Sequence, residues 1–256
     1  MSKKIRVGII NYLNVKPFLY GIRHSDVMNE VELIETFPSK LAQMLRDDEV
    51  DVGIVPVAAI PEIPRHYIVS DYCIGCDGPV ASVCLFSEVP VNRIRKVLLD
   101  YHSRTSVALV QVLLKHYWNI SPELEHAENE NFRSLIRDTT AGVVIGDRAF
   151  EQRKRSSYIY DLGEAWKDHT GLGFVFAAWV ANKKLPEDFL KAFNEANASG
   201  LDHIDEVVKE NPFPLYDLGK YYKYNINYIL DEKKRAALET FLQEVQQLSP
   251  FPAISL

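Results

Sequence analysis

The chain has few cysteines and no long apolar run. Its three cysteines, Cys73, Cys76 and Cys84, lie close together in the sequence. A secreted disulfide framework normally has an even number of cysteines spread along the chain, so we interpret these three as structural. Cys73 and Cys76 have a CxxC spacing, but no second CxxC or histidine lies nearby to complete four zinc ligands. No segment approaches the roughly 18 consecutive apolar residues of a membrane helix.

Excess positive charge and the common catalytic motifs are also missing. The formal net charge is -6, with 29 lysines and arginines against 35 aspartates and glutamates. Nucleic acid is therefore not expected as a partner, because binding phosphates requires a basic surface. The sequence contains no GxxxxGKS or GxGxxG phosphate-binding loop, no HExxH and no GxSxG. The seven histidines show no metal-ligand spacing, so no metal site is expected.

The N-terminal residues lead directly into an apolar segment. Residues 5–10 are too short for the apolar region of a signal peptide, and no small-residue cleavage site follows. We expect this segment to be a core strand of a cytoplasmic protein, in contact with neither membrane nor nucleic acid.

Strand-like and helical segments alternate over the first part of the chain. Apolar, β-branched residues predict strands at 6–10, 31–36 and 51–55, and 3.6-residue periodicity predicts helices at 15–22 and 39–46. Such alternation is typical of a parallel, doubly wound α/β sheet, whose functional groups lie at the carboxyl ends of the strands.

Two apolar segments, 80–87 and 174–180, are each entered through a glycine-rich turn. Between them the pattern begins again, with strands predicted at 96–99 and 141–145 and helices at 103–117 and 147–153. We therefore predict an α/β protein of two lobes, joined by two crossover hinge strands, with a ligand cleft at the hinge. Lobe 1 would contain residues 1–87 and 174–256, the latter ending in helices, and lobe 2 residues 88–173.

Several polar residues follow predicted strands of lobe 1. Tyr12 and Asn14 come after the first strand, and Pro56 ends the third. The Asn14 side chain could cap the next helix or bind a ligand, and the sequence leaves both open. Ser82 lies inside the first hinge segment. A lone serine in an apolar strand is usually a satisfied core hydroxyl, but the neighbouring glycines favour a position in the cleft.

The predicted second lobe offers two further clusters. Ser103, Arg104, Thr105 and Ser106 open a helix, where free backbone N–H groups and hydroxyls form an anion site. Simple capping by Ser103 is compatible with this interpretation, and Arg104 could add a fork for a carboxylate.

Gly146 and Asp147 follow the strand predicted at 141–145. Asp147 is best explained as a helix N-cap, at a place that faces the cleft from lobe 2.

These motifs occur in an order that resembles one enzyme family. The segments are Tyr12-Leu13-Asn14, Asp77-Gly78-Pro79-Val80-Ala81-Ser82, Ser103-Arg104-Thr105-Ser106, Ile145-Gly146-Asp147, Asp161-Leu162-Gly163 and Thr170-Gly171-Leu172. From about residue 5 to 245 the chain is similar to the chorismate dehydratases of the futalosine route to menaquinone. The resemblance implies a type II periplasmic-binding-protein-like fold. It also implies a cytoplasmic hydro-lyase that converts chorismate to 3-[(1-carboxyvinyl)oxy]benzoate without metal or organic cofactor.

The resemblance also assigns site residues. It implies that Asn14 and Ser82 are catalytic and that Ser103, Thr105 and Ser106 bind substrate carboxylates. The other expected substrate-binding residues are Tyr12, Pro56, Gly78, Arg104, Gly146, Asp147, Thr170 and Gly171. Cys73 and Cys76 depart from the serines usual in the family, and Gly173 from a proline.

Two other functions stay open at this point. A 1,4-dihydroxy-6-naphthoate synthase of the same pathway would require a histidine base, for which His102 and His169 are the candidates. A non-catalytic small-anion binding protein is the second alternative. In either enzyme the partner is a small molecule, a dicarboxylate in the case of chorismate, and the protein is expected to be a monomer or homodimer.

Overall fold

The computed structural model describes residues 4–248, except for the side chain of Ser39. The lobe limits expected at residues 1 and 256 lie outside the described residues. The strands within this range are β1 (Ile5–Ile10), β2 (Val31–Thr36), β3 (Val52–Pro56), β4 (Tyr67–Cys76), β5 (Val83–Ser87), β6 (Lys96–Leu99), β7 (Glu123–His126), β8 (Thr140–Ile145), β9 (Tyr158–Asp161), β10 (Phe174–Ala181) and β11 (Asn227–Ile229). The helices are α1 (Lys16–Arg23), α2 (Val27–Glu30), α3 (Pro38–Arg46), α4 (Thr105–His116), α5 (Asp147–Gln152), α6 (Leu162–Thr170), α7 (Glu187–Asp202), α8 (Ile204–Glu210), α9 (Leu218–Lys220) and α10 (Glu232–Gln246). None of the helices in this part of the chain is long and apolar enough to cross a membrane.

The first sheet has six strands in the order β11-β4-β10-β3-β1-β2. β1 pairs in parallel with β2 and β3, as the alternating pattern predicts. The sheet is not wholly parallel, however, because β10 runs antiparallel to β3 and β4. β10 enters from the edge at which β3 ends, with Ala177 opposite Pro56, so its direction is reversed. Every residue of β3 and β10 is buried.

The second sheet has the order β7-β6-β8-β5-β9 and corrects the expected lobe boundary. Residues 80–87 were predicted to be a hinge strand of lobe 1. Instead, β5 begins at Val83, opposite Ile145 of β8, and its other neighbour is β9. A boundary between residues 87 and 88 would separate β5 from its own sheet. The chain therefore crosses between the sheets in residues 77–82 and returns through α6 to β10. The result is a two-lobed α/β fold with two crossings.

Three strands and two helices, namely β4, β9, β11, α2 and α6, were not predicted from the sequence. In β4, Ser70 and Asp71 interrupt the apolar pattern, and only its last four residues, 73–76, are continuously buried. That burial comes from pairing with β10, where Ala178 lies opposite Cys73. A local window of sequence does not contain this partner.

Asp51 links three segments at the amino end of β3, the end opposite to Pro56. Its carboxylate accepts hydrogen bonds from the Arg6 backbone N–H at 2.8 Å and from Arg6 Nη2 at 2.7 Å. Lys183 Nζ lies 2.8 Å from the same carboxylate. Burial favours the neutral acid, but the bonds from Arg6 and Lys183 outweigh it and hold the pKa of Asp51 well below its ordinary range.

Candidate active site

A mainly apolar cleft lies between the two sheets. It is bordered by the carboxyl ends of β1, β3 and β8 and by residues at or near the start of β5 and β10. Its empty volume is about 550 Å³ when space open to solvent is counted. The lining residues are Ile10, Tyr12, Asn14, Val15, Pro38, Pro56, Ile74, Val80, Ser82, Val83, Ser103, Thr105, Ser106, Ile145, Gly146, Phe176 and Ala177. None of these lining residues is an Asp, Glu, Lys, Arg or His.

Asn14 presents an unused acceptor to this cleft. It lies in the 3₁₀ turn Leu13–Val15 that follows β1. Its backbone carbonyl accepts from Tyr228 Oη at 3.0 Å, which fixes the backbone. Its Oδ1 is buried and has no hydrogen-bond partner among residues 4–248. The side chain makes no capping bond to α1, so the capping interpretation left open by the sequence is wrong.

Ser82 is not inside a strand but in the last position before β5, within the first crossing. Ala81, which precedes it, has a positive φ of 66°. The Asp161 carboxylate accepts from the backbone N–H groups of Val80 at 3.0 Å and Ala81 at 2.7 Å, which anchors this unusual turn. The Gly146 N–H donates to the Ser82 carbonyl at 2.8 Å. Ser82 is therefore held against the end of β8, with its side chain at the cleft.

The Ser82 side chain also has a buried partner. Tyr221 Oη lies 2.7 Å from Ser82 Oγ, and each residue is 1% exposed. Sequence reasoning did not find Tyr221, because the two residues are 139 positions apart and no motif links them.

The start of α4 supplies hydroxyl groups to the opposite wall. Ser103 Oγ accepts from the Ser106 N–H at 3.0 Å, so Ser103 does cap this turn. Thr105 Oγ1 accepts from the Ala58 N–H at 3.3 Å, which connects α4 to the loop after β3. Because α4 is twelve residues long, the first-turn N–H groups and the helix dipole favour an anion here.

Arg104 does not line the cleft, contrary to the expectation from the sequence. Its guanidinium pairs with Glu62, which lies in the turn after β3. The contact joins Arg104 Nη1 to Glu62 Oε2, and Arg104 is not among the residues that line the cleft.

Tyr12 and Asp147 join the two lobes beside the cleft. Tyr12 Oη is hydrogen-bonded to His102 Nδ1 at 2.8 Å, and burial raises the pKa of the phenol. Burial and the nearby Arg148 lower the pKa of His102, which favours its neutral form. Asp147 is not the N-cap of α5, since Gly146 holds that position. Instead, Asp147 Oδ1 accepts from the Leu13 N–H at 3.1 Å, and burial raises its pKa.

Gly78, Thr170 and Gly171 do not line the cleft either. Gly78 lies in the first crossing with a φ of 130°. Thr170 Oγ1 donates to the Trp166 carbonyl at 2.8 Å, and Gly171 ends α6 in the left-handed conformation. The structure thus assigns turn-forming roles to these residues. Of the predicted site residues, eight line the cleft: Tyr12, Asn14, Pro56, Ser82, Ser103, Thr105, Ser106 and Gly146.

The apolar wall was also not predicted residue by residue. Phe176 and Ala177 come from the start of β10, and Ile74 from the neighbouring β4. Their apolar character alone does not distinguish them from ordinary core residues. A local signal exists only for Ile10 and Ile145, which also line the cleft and are the last residues of β1 and β8.

Comparison with known proteins gives concordant matches over nearly the whole chain. A family model described as "Menaquinone biosynthesis" matches residues 5–247. A curated chorismate dehydratase from Thermus thermophilus is 26% identical, covering 93% of this chain and 93% of its own length. Another from Campylobacter jejuni is also 26% identical, covering 94% of this chain and 98% of its own.

Solved structures show the fold. A protein from Archaeoglobus fulgidus superposes with a TM-score of 0.76 at 15% identity, over 96% of this chain and 97% of its own. A Candida albicans protein described as having the generic periplasmic-binding-protein fold gives a TM-score of 0.66 at 13% identity, over 97% and 92%. The two-lobed fold is therefore of the periplasmic-binding-protein type.

Proposed function

The chain belongs to the menaquinone biosynthesis family, and from this premise we propose that it is a chorismate dehydratase. It would eliminate water from chorismate to give 3-[(1-carboxyvinyl)oxy]benzoate. The observation that supports this most is the cleft itself, in which neutral hydrogen-bonding groups surround an apolar space with no ionisable acid, base or cation on its lining apart from the Tyr12 phenol.

Chorismate fits this combination of walls. Its two carboxylates suit the hydroxyls of Ser103, Thr105 and Ser106 at the α4 N-terminus and the Ser82 hydroxyl on the other side. Its ring suits apolar residues such as Ile145 and Phe176. Neutral donors bind an anion with less attraction than a guanidinium would, so the substrate carboxylates stay reactive.

The reaction needs orientation more than strong acid or base groups. Loss of the C3 proton and the C4 hydroxyl makes an aromatic ring, so the overall step is strongly downhill. The lining side chains include no dedicated base. We assign that role to the enolpyruvyl carboxylate of the substrate, which takes the C3 proton. The C4–O bond then breaks, and the hydroxide combines with that proton to leave as water.

Asn14 and Ser82 have distinct parts in this scheme. The Asn14 amide N–H would donate a hydrogen bond to the enolpyruvyl side chain and hold it against C3, which is catalysis by proximity. As the proton leaves, charge spreads towards the ring carboxylate, where the Ser82 hydroxyl donates a hydrogen bond. Closure of the two lobes around the substrate would exclude water from the site.

The dihydroxynaphthoate synthase alternative is less well supported. It requires a histidine base, and no histidine lines the described cleft. His102 is engaged with Tyr12, and the His169 ring lies 5.7 Å from that of Tyr117, on the distant end of α6. The cytoplasmic location and the monomeric or dimeric state remain predictions.

The proposal is tested by incubating the purified protein with chorismate. We expect the diene absorbance to disappear and mass spectrometry to detect a product lighter by one water. Asn14→Ala should lower kcat by at least about a hundredfold, in line with the usual range for losing proximity and orientation. Asn11→Ala is the matched control, because Asn11 is exposed on the same loop and its Oδ1 bonds Lys16 Nζ. Binding of chorismate without any product would favour the non-catalytic alternative, and full activity of Asn14→Ala would refute the assigned role.

A further inference from the structure

The hydrogen bond between the hydroxyls of Tyr221 and Ser82 has a defined direction. The two oxygens are 2.7 Å apart and both residues are fully buried. A serine hydroxyl has one proton to donate and two lone pairs, and a phenol likewise has one proton. Either group could therefore be the donor as far as the distance is concerned.

The surroundings of Tyr221 decide between these two arrangements. Its ring packs edge-on against Phe150, with ring centroids 5.2 Å apart, and against Tyr216, at 6.2 Å. Within residues 4–248 its Oη has no other hydrogen-bond partner than Ser82. If Ser82 were the donor, the buried phenol proton would have no acceptor, which is costly. Tyr221 therefore donates, and Ser82 accepts.

This direction leaves the Ser82 proton free to point into the cleft. Among the described residues the Ser82 hydroxyl makes no hydrogen bond besides the one from Tyr221. Ser82 lines the cleft, whereas Tyr221 does not. A hydroxyl whose proton points into the cleft, and whose oxygen is already a hydrogen-bond acceptor, suits a ligand that only accepts, such as a carboxylate.

The local backbone keeps Tyr221 in place. Tyr221 begins a single π-helical turn, Tyr221–Asn225, a rare conformation that often occurs at functional sites. Asn225 Nδ2 donates to the Pro79 carbonyl at 2.9 Å, and Tyr216 Oη donates to Asn225 Oδ1 at 3.1 Å. The turn that holds Tyr221 is thus bonded to the same crossing that holds Ser82.

We propose that Tyr221 is a positioning residue, which fixes the Ser82 hydroxyl as a hydrogen-bond donor to a carboxylate of the ligand. The assignment of that carboxylate to chorismate rests on the proposed function. Burial also raises the pKa of Tyr221 well above its ordinary value, so the phenol keeps its proton throughout the useful pH range.

The test is a double-mutant cycle with Tyr221→Phe and Ser82→Ala. Tyr221→Phe keeps the ring packing and removes only the hydroxyl, and we expect about a tenfold fall in kcat/KM for chorismate, or roughly 1.4 kcal/mol. In the Ser82→Ala background the same change should have no further effect, because Tyr221 acts only through Ser82. An equal fold-change in both backgrounds would overturn the inference.

Tyr222→Phe is the matched control. Tyr222 lies in the same π-helical turn, is also buried, and its Oη has no hydrogen-bond partner among the described residues. We expect kcat/KM of the Tyr222→Phe variant for chorismate to stay within twofold of that of the parent protein. If Tyr221→Phe behaved in the same way, the inference would be wrong. Thermal melting of all variants checks that the comparison is made between folded proteins.

Calorimetric titration with 3-[(1-carboxyvinyl)oxy]benzoate separates this inference from the proposed function. A protein that binds this dicarboxylate but does not dehydrate chorismate would refute the function. With that outcome, the double-mutant cycle is measured on the Kd for this dicarboxylate and still decides the role of Tyr221. Coupling between Tyr221→Phe and Ser82→Ala supports the role, and additive effects refute it. Absence of both turnover and binding would count against both proposals.

Discussion

Replacing Gly146 with alanine should lower both stability and activity. Gly146 has a φ of 64° and a ψ of -148°, close to a region that is almost restricted to glycine and costs other residues about 1–3 kcal/mol. A Cβ at this position would also lie 3.3 Å from the Tyr12 ring, closer than an ordinary contact. That ring cannot withdraw freely, because its hydroxyl is bonded to His102. Adding about 1 kcal/mol for overpacking gives a total loss of about 3 kcal/mol.

This loss is measured by urea and thermal unfolding followed by circular dichroism. For a chain of this size, about 3 kcal/mol corresponds to a fall in Tm of roughly 6–12 °C. We also expect kcat/KM for chorismate to fall at least about tenfold. The physical reason is that Gly146 bonds the Ser82 carbonyl and contacts Tyr12, so its displacement moves two cleft residues at once.

Gly171→Ala is the matched control for Gly146→Ala. Gly171 also has a positive φ, 73°, but its ψ is -1°, and beyond its chain neighbours a Cβ added there would meet nothing within 4 Å. The substitution should cost only about 1 kcal/mol for left-handed backbone and leave kcat/KM unchanged, since Gly171 ends α6 away from the cleft. Equal destabilisation by the two substitutions would refute the strain argument. A larger loss of activity in Gly171→Ala would return this residue to the substrate-binding set.

Three further predictions concern single side chains. Arg104→Gln should keep kcat/KM within about twofold in steady-state assays, because its partner is Glu62; a loss above about tenfold would show that it reaches the substrate. Ser106→Ala should raise KM for chorismate by about tenfold, the effect of one hydrogen bond to a charged group, and an unchanged KM would remove Ser106 from the carboxylate site. Asp51→Asn should make the free energy of unfolding less dependent on pH in acid. Although burial opposes ionisation, the pKa of Asp51 is lower in the folded than in the unfolded protein. The stabilisation by Asp51 is therefore complete above about pH 4 and is lost as the pH falls towards the folded pKa. Unfolding free energies measured between about pH 7 and pH 3 check this, and an equally steep loss in both proteins would contradict it.

The sequence located much of the site because strand ends are local features. Asn14 and Pro56 could be placed at the carboxyl ends of β1 and β3 from the apolar segments that precede them. Ser103, Thr105 and Ser106 could be placed at the start of a helix from its periodicity. Parallel strands of one sheet end at the same edge, so the convergence of Asn14 and Pro56 followed from the fold class. Ser103, Thr105 and Ser106 follow β6 of the other sheet and reach the cleft from its opposite wall.

The errors arose where a residue's partner is distant in the sequence. Arg104 was expected to bind a carboxylate of the ligand, but Glu62 lies beside it in the folded chain. Thr170 and Gly171 are the exception, because their partners are local: Thr170 Oγ1 donates to the Trp166 carbonyl, and the Gly171 N–H donates to the Lys167 carbonyl at the end of α6. β5 was placed in the wrong lobe, because its pairing with β8 and β9 is not encoded within the strand itself.

The sequence by itself determined the two-lobed α/β fold, the order of its motifs and the neutral, hydroxyl-rich character of the polar residues that line the cleft. These follow from local propensity, periodicity and the chemistry of side chains that lie a few positions apart. Only the tertiary structure decided which polar groups are used internally and which face the cleft. Hydrogen bonds such as that from Tyr221 to Ser82 form between residues far apart in the chain. Because these groups are buried, a donor or acceptor left without a partner costs free energy, and this cost decides the direction of each bond.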